Sequence, residues 1–166
     1  MAAAAYIATI FAANWAIEHY GLVSVGFGLV APAGVWFAGL AFSLRDVTQE
    51  TLGRRAVVVA IAVGGLASAF VNRNLAFASA TAFLISELAD FAVYTPLRER
   101  GWLRAVVASN VVGFVLDSVL FLWLAFDSLE FLRGQLVGKA WMTAAFVVLL
   151  LPFRRSALAP AGPQPS

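Results

Sequence analysis

The sequence predicts an all-α integral membrane protein, a bundle of six transmembrane helices with both termini in the cytoplasm. Three observations carry that expectation. Hydrophobic residues make up 62% of the chain and charged residues 12%, against about 45–50% and about 25% in soluble domains. Six stretches are apolar enough to be read as spans, at 2–17, 23–44, 54–71, 75–97, 105–126 and 136–153, a membrane helix needing about 20 mainly apolar residues. The basic residues are also unequally shared. Six spans put Arg45, Arg54, Arg55, Arg98, Arg100, Arg104, Arg154 and Arg155 on one side, and Arg73, Arg133 and Lys139 on the other. Lys and Arg accumulate in cytoplasmic loops, so the N- and C-termini are expected inside, in a multi-pass protein of the cytoplasmic membrane.

Taken in order, the first span lacks the basic leading region of a signal peptide and is expected to be retained. Its Ala4, Ala8, Ala12 and Ala16 form a ridge of small residues that lets a helix approach closely. That helix belongs either to the same bundle or to a partner subunit. Asn14 either lines a cavity or bridges two helices. In the second span Pro32 removes an intrahelical hydrogen bond and Gly34 adds freedom, so a break near 31–34 is expected. Trp36, just past the break, is placed to stack on a ligand, unless the kink serves packing alone. The block RDVTQETLGRR (45–55) reads as an interfacial helical turn with Asp46, Glu50 and Arg54 in an i,i+4 ladder, a position that leaves room for a gating role. The third span is short. Residues 1–153 are expected to form the transmembrane domain, and the Pro- and Ala-rich tail 154–166 to be disordered.

Three acids stand inside the fourth and fifth spans, where each costs about 2.5–3.5 kcal/mol near the centre of a membrane helix. Phe83, Glu87, Asp90 and Tyr94 follow one another at steps of four, three and four, which places them on one helical face. Asn110, Gly113, Asp117 and Phe121 do the same in the fifth span. Two stripes combining acids, an amide and aromatic rings suit a planar, nitrogen-rich ligand, with rings stacking on it and carboxylates and amides reading its N–H edges. The competing reading is interhelical hydrogen bonding that serves packing. Lys139, near the start of the sixth span, either neutralises one of the acids or snorkels to the interface.

Composition excludes other classes. With no cysteine there are no disulfides or thiolate metal sites, and one histidine without HExxH argues against a metalloenzyme. No cofactor is expected. The basic residues are too few and scattered to form a nucleic-acid face. The acids also lack the Tyr-Asp and Gly-Leu-Gly-Asp contexts of an intramembrane aspartyl protease, so no enzyme is expected.

Four stretches carry a family resemblance. They are PAGVWFAGLAFSLRDVTQETLGRR (32–55), SELADFAVYTPLRERGWLRAVVASNVVGFVLDSVLFLWLAF (86–126), Lys139 and Pro152. In that order they resemble the queuosine precursor transporters, the vitamin-uptake-like or VUT family, which look like the substrate-binding S-components of energy-coupling-factor transporters. The resemblance implies a six-helix S-component-like bundle and uptake of a deazaguanine base. Asp46 and Glu50 match the family's acidic block, Glu87 and Asp90 its fourth-helix pair, Asn110, Asp117 and Ser118 its fifth-helix pattern, and Lys139 its last-helix lysine. The expected substrate-binding set is therefore Asn14, Trp36, Glu87, Asp90, Tyr94, Asn110, Asp117 and Lys139. The expected partners are a small purine-like substrate, the lipid bilayer, and either a second copy or an energy-coupling subunit. A vitamin-binding S-component driven by an ATPase module, or a membrane scaffold that transports nothing, are the alternatives.

Overall fold

The computed structural model describes residues 1–100 and 102–157, except the side chains at 46, 91, 95, 98, 102, 103, 105–107, 110, 146, 147 and 149–157. The expected tail falls largely outside the described residues. The described residues form six helices: α1 (Ala2–Tyr20), α2 (Val35–Leu52), α3 (Arg54–Ser68), α4 (Arg73–Arg98), α5 (Trp102–Phe126) and α6 (Leu132–Ala157). Between α1 and α2 lies a hairpin of β1 (Leu22–Gly26) and β2 (Leu29–Pro32), paired antiparallel. We call that end of the molecule the hairpin end.

The hairpin corrects the all-α expectation, because residues 23–32 were expected to begin the second span as helix. The local reason is backbone sign. Phe27 and Gly28, the two-residue loop, have φ of 55° and 71°, positive at both positions as a type I′ hairpin turn requires. Gly26, at φ 93°, sits at the bulge where the register shifts between Ser24 and Gly26. The hairpin buries Val25 and Ala31 against Val35, with Trp36 and Val137 packed alongside. It lies flush on α6: a Cβ on Gly134 would stand 1.9 Å from the Val30 carbonyl oxygen.

Helix α2 therefore starts at Val35 and runs on through the polar block. The block is the second half of a helix, with Arg45 and Thr48 buried, instead of an interfacial turn. Gly53, at φ 79°, ends α2 and puts Arg54 at the start of α3, off the helix that would have carried the expected ladder. Asp46 belongs to the side chains outside the description. Helix α4 has a defined start, since Asn72 accepts from the backbone N–H groups of Asn74 and Leu75 at 3.0 and 3.1 Å.

The helices pack as a closed ring in the order α1, α2, α6, α5, α4, α3. One apolar cluster joins Tyr6 and Ile10 of α1 to Phe42, Ile61 and Phe83 of the neighbouring helices. A second, nearer the hairpin end, joins Ile17, Leu75, Ala78, Ala82, Phe121 and Leu122. The outer surface is apolar too, with Val59, Leu66, Phe77, Leu88, Val111 and Trp123 more than half exposed. Among the described residues, Arg73–Tyr94 is long and apolar enough to cross a membrane, and Val111–Phe126 is a shorter apolar helix.

Candidate functional site

Inside the ring lies a narrow cavity of about 20 Å³, lined from α1, α2, α4, α5 and α6, room for roughly one water molecule. Its polar wall holds Asp117, Lys139, Gln135 and Ser79, and its apolar wall includes Ile17, Phe83 and Phe121. Each arrives by helical geometry. Gln135 and Lys139 are four apart on α6, as are Asp117 and Phe121 on α5, so each pair shares one inward face. Gly39 allows α6 to come this close, since a Cβ there would meet the Lys139 backbone at 2.8 Å.

Lys139 is 1% exposed and donates to the Asp117 carboxylate and, at 2.8 Å, to Ser118 Oγ. Its ammonium also lies 5.4 Å from the Phe42 ring centre and 5.6 Å from that of Phe114. A desolvated cation over two ring faces gains on the order of 2 kcal/mol per contact. Of the two expectations for Lys139, the structure has the neutralising partner. Lys139 lies seven residues into α6, about 10 Å from the hairpin end at 1.5 Å per residue.

A second ion pair lies deeper. Arg45 reaches Glu87 at 2.9 Å, both side chains nearly buried. Arg45 Cζ stands 5.3 Å from the same Phe42 ring, so one aromatic side chain separates two buried cations. Phe42 is held in turn by Phe83 and Phe114, with ring centres at 5.6 and 5.5 Å.

The other expected site residues are placed as follows. Asn14 is fully buried and satisfied: it donates to Ser68 Oγ and the Ile10 carbonyl and accepts from Ser79 Oγ. It is a bridge between α1, α3 and α4 that touches the cavity only through Ser79. Trp36 is half-buried beside the hairpin, away from the cavity wall. Asp90 is half-buried with Gly113 across from it, and its Oδ1 has no hydrogen-bond partner among the described residues. Tyr94 is half-buried one turn further on. Asn110 lies outside the described side chains. The cavity therefore brings together Asp117 and Lys139 of the expected set, with Glu87 one aromatic layer below.

Three contributors were not expected. Gln135 is 2% exposed, and its Oε1 has no hydrogen-bond partner among the described residues. In the sequence it stands just ahead of the apolar run 136–153, where a polar residue is ordinary. Arg45 opens the polar block and counts with the loop residues in the sequence, although its i,i+3 spacing from Phe42 puts both on one inward face. Ser79 carries no distinguishing pattern in its run of small residues.

At the hairpin end a larger recess of about 330 Å³ opens between the ends of α1, α4 and α5. Glu18, Asn72 and Asn74 edge it, with Asn72 donating to Glu18 at 2.8 Å. Ile17 lines both this recess and the inner cavity. Ile17 packs in one apolar cluster with Leu75, which lines the recess, Phe121, which lines the cavity, and Leu122.

A family model described as "Putative vitamin uptake transporter" matches residues 70–156, just over half of the chain. The matched stretch takes in α4, α5 and nearly all of α6, and with them Glu87, Asp117, Gln135 and Lys139. No curated protein and no solved structure matches this chain. On the strength of that match, the chain belongs to this vitamin uptake transporter family.

Proposed function

We propose that the protein is a six-span uptake transporter of the cytoplasmic membrane whose substrate is a deazaguanine base, a queuosine precursor. The observation that carries this reading is the buried Asp117–Lys139–Ser118 group on the wall of a cavity flanked by Phe83 and Phe121. A buried ion pair is a poor stabiliser, since two well-packed apolar residues in its place often do as well or better. Its use here is exchange. A carboxylate accepts two parallel N–H bonds from an amidine-like edge, so such a base can take the place of Lys139 at Asp117 while the two rings cover its faces. The family match supports uptake of a vitamin-like compound, and the acid–aromatic chemistry narrows that class to a nitrogen-rich base.

The cavity, at about 20 Å³, is far below the roughly 300 Å³ of a ligand pocket, so this conformer is closed. The recess at the hairpin end has the right size, and the Ile17–Leu75–Phe121–Leu122 cluster is the barrier that must part. With both termini inside, that recess faces outward, as uptake needs. Six spans are supported by the apolar outer surface, which is stable against lipid tails and a liability in water. Trp15, Tyr20 and Trp123 near the hairpin end suit an interfacial belt.

The test is thermal stability of the purified protein with and without 7-deazaguanine. A ligand at about 100 times its Kd adds about 2.7 kcal/mol to a folded state that alone binds it. The expected result is a clear rise in melting temperature that Asp117→Asn abolishes. A second reading, a vitamin-binding S-component driven by an ATPase module, is favoured by Ala4 and Ala8, which stand exposed on α1 where another helix could dock. A rise with a vitamin and none with the base would select it; no rise with either sinks both.

A further inference from the structure

We propose that Gln135 is a specificity-determining residue, accepting a hydrogen bond from the five-membered-ring N–H of the base while Asp117 holds the amidine edge. This rests on the base-binding reading above. Three observations carry it. Gln135 is 2% exposed and lines the cavity, and its Oε1 lacks a hydrogen-bond partner among the described residues. A buried acceptor without a donor is costly, and native proteins keep few of them. Its neighbours on the wall do not meet it: Lys139 donates to Asp117 and Ser118, and Ser79 donates to Asn14. What is missing at this wall is a donor, and a bound base supplies one.

Position gives the edge. Gln135 stands one helical turn from Lys139, nearer the hairpin end, a separation on the order of 5–6 Å along the same face. A fused two-ring base whose amidine edge meets Asp117 extends its other ring over such a distance. The N–H on that second ring is the donor that Gln135 can take. A base alkylated at that nitrogen leaves the acceptor unmet, and a site built to hydrogen-bond rejects a ligand that lacks the donor.

The experiment compares binding of 7-deazaguanine and 9-methyl-7-deazaguanine to the purified full chain by calorimetry, for wild type, Gln135→Leu and Gln135→Glu. Wild type should prefer the unmethylated base about 10- to 100-fold, the range one unmet buried acceptor implies. Gln135→Leu keeps the side chain's bulk and removes the acceptor, so the preference should collapse to within a few-fold through weaker binding of the unmethylated base. Gln135→Glu keeps an acceptor and should retain the preference. If Gln135→Leu keeps the wild-type preference, the discrimination is steric and this inference is overturned while base binding stands. If wild type binds neither base, the underlying reading falls with it.

Discussion

Removing either charge of the Lys139–Asp117 pair leaves the other buried among aromatic rings. Asp117→Asn or Lys139→Met should each destabilise the protein by about 3–5 kcal/mol. The double variant should recover most of that loss in thermal unfolding, yet bind no base. Recovery of stability together with binding would show the pair to be structural only. The Arg45–Glu87 pair is the parallel case, with the Phe42 ring between Arg45 and Lys139. Phe42→Leu removes a ring that faces both cations and should cost about 1–3 kcal/mol, through lost packing and lost cation–π contact, read as a lower melting temperature. At this scale the sequence was legible where a residue was anomalous for its span. Asp117 and its candidate partner Lys139 stood out because charges are rare in such helices. Gln135 and Arg45 did not, because each lay at an edge of an apolar stretch, where polar residues are ordinary.

Among the elements, α4 and α5 were the most readable, since their inward stripes repeat at helical spacing through long apolar runs. The hairpin was the least readable. Residues 22–32 are apolar and glycine-rich, a composition equally fit for a helix packed closely in a membrane, and the decisive fact is the sign of φ at Phe27 and Gly28. The polar block misled for a related reason: charge suggested an interface, whereas Arg45 and Thr48 turn into the ring. The hairpin's seat on α6 has no spare room. Gly134→Ala should push the Val30 carbonyl away and cost about 1–3 kcal/mol, whereas Gly21→Ala meets open space and carries only the strain of its φ of 59°. The start of α4 offers a milder test. Asn72→Ala removes the cap and the contact with Glu18, an expected loss of about 0.5–2 kcal/mol by thermal or chaotrope unfolding.

For the molecule as a whole, the ring order α1, α2, α6, α5, α4, α3 could not be read from sequence, because it depends on which apolar face meets which. The proposed orientation rests on the sharing of basic residues between the two ends. Arg45 and Lys139 prove to be buried rather than in loops, and removing them from eight and three leaves seven against two. The absence of cysteine makes a direct check clean. In intact cells a membrane-impermeant maleimide should label Asn74→Cys at the hairpin end, and should reach Glu99→Cys at the far end only after permeabilisation. Both positions are exposed, so labelling of both in intact cells would contradict the proposed orientation.

The hairpin also sets a waterline. Two strands alone leave their outer N–H and C=O groups unpaired in the sheet, and hydrocarbon does not tolerate such edges. Yet the hairpin tip reaches down to Trp141, whose ring stacks with Phe27 at 6.3 Å. Trp141 is nine residues, about 14 Å, into α6. Under the proposed membrane reading, the first turns of α6 beside the hairpin belong in the headgroup zone, and the Lys139–Asp117 pair sits just beneath it. In the proposed orientation a charge pair that looks deep by helix count lies a short step below bulk water, with the Ile17–Leu75–Phe121–Leu122 cluster as the door at which an arriving base sheds its hydration shell before it meets Asp117.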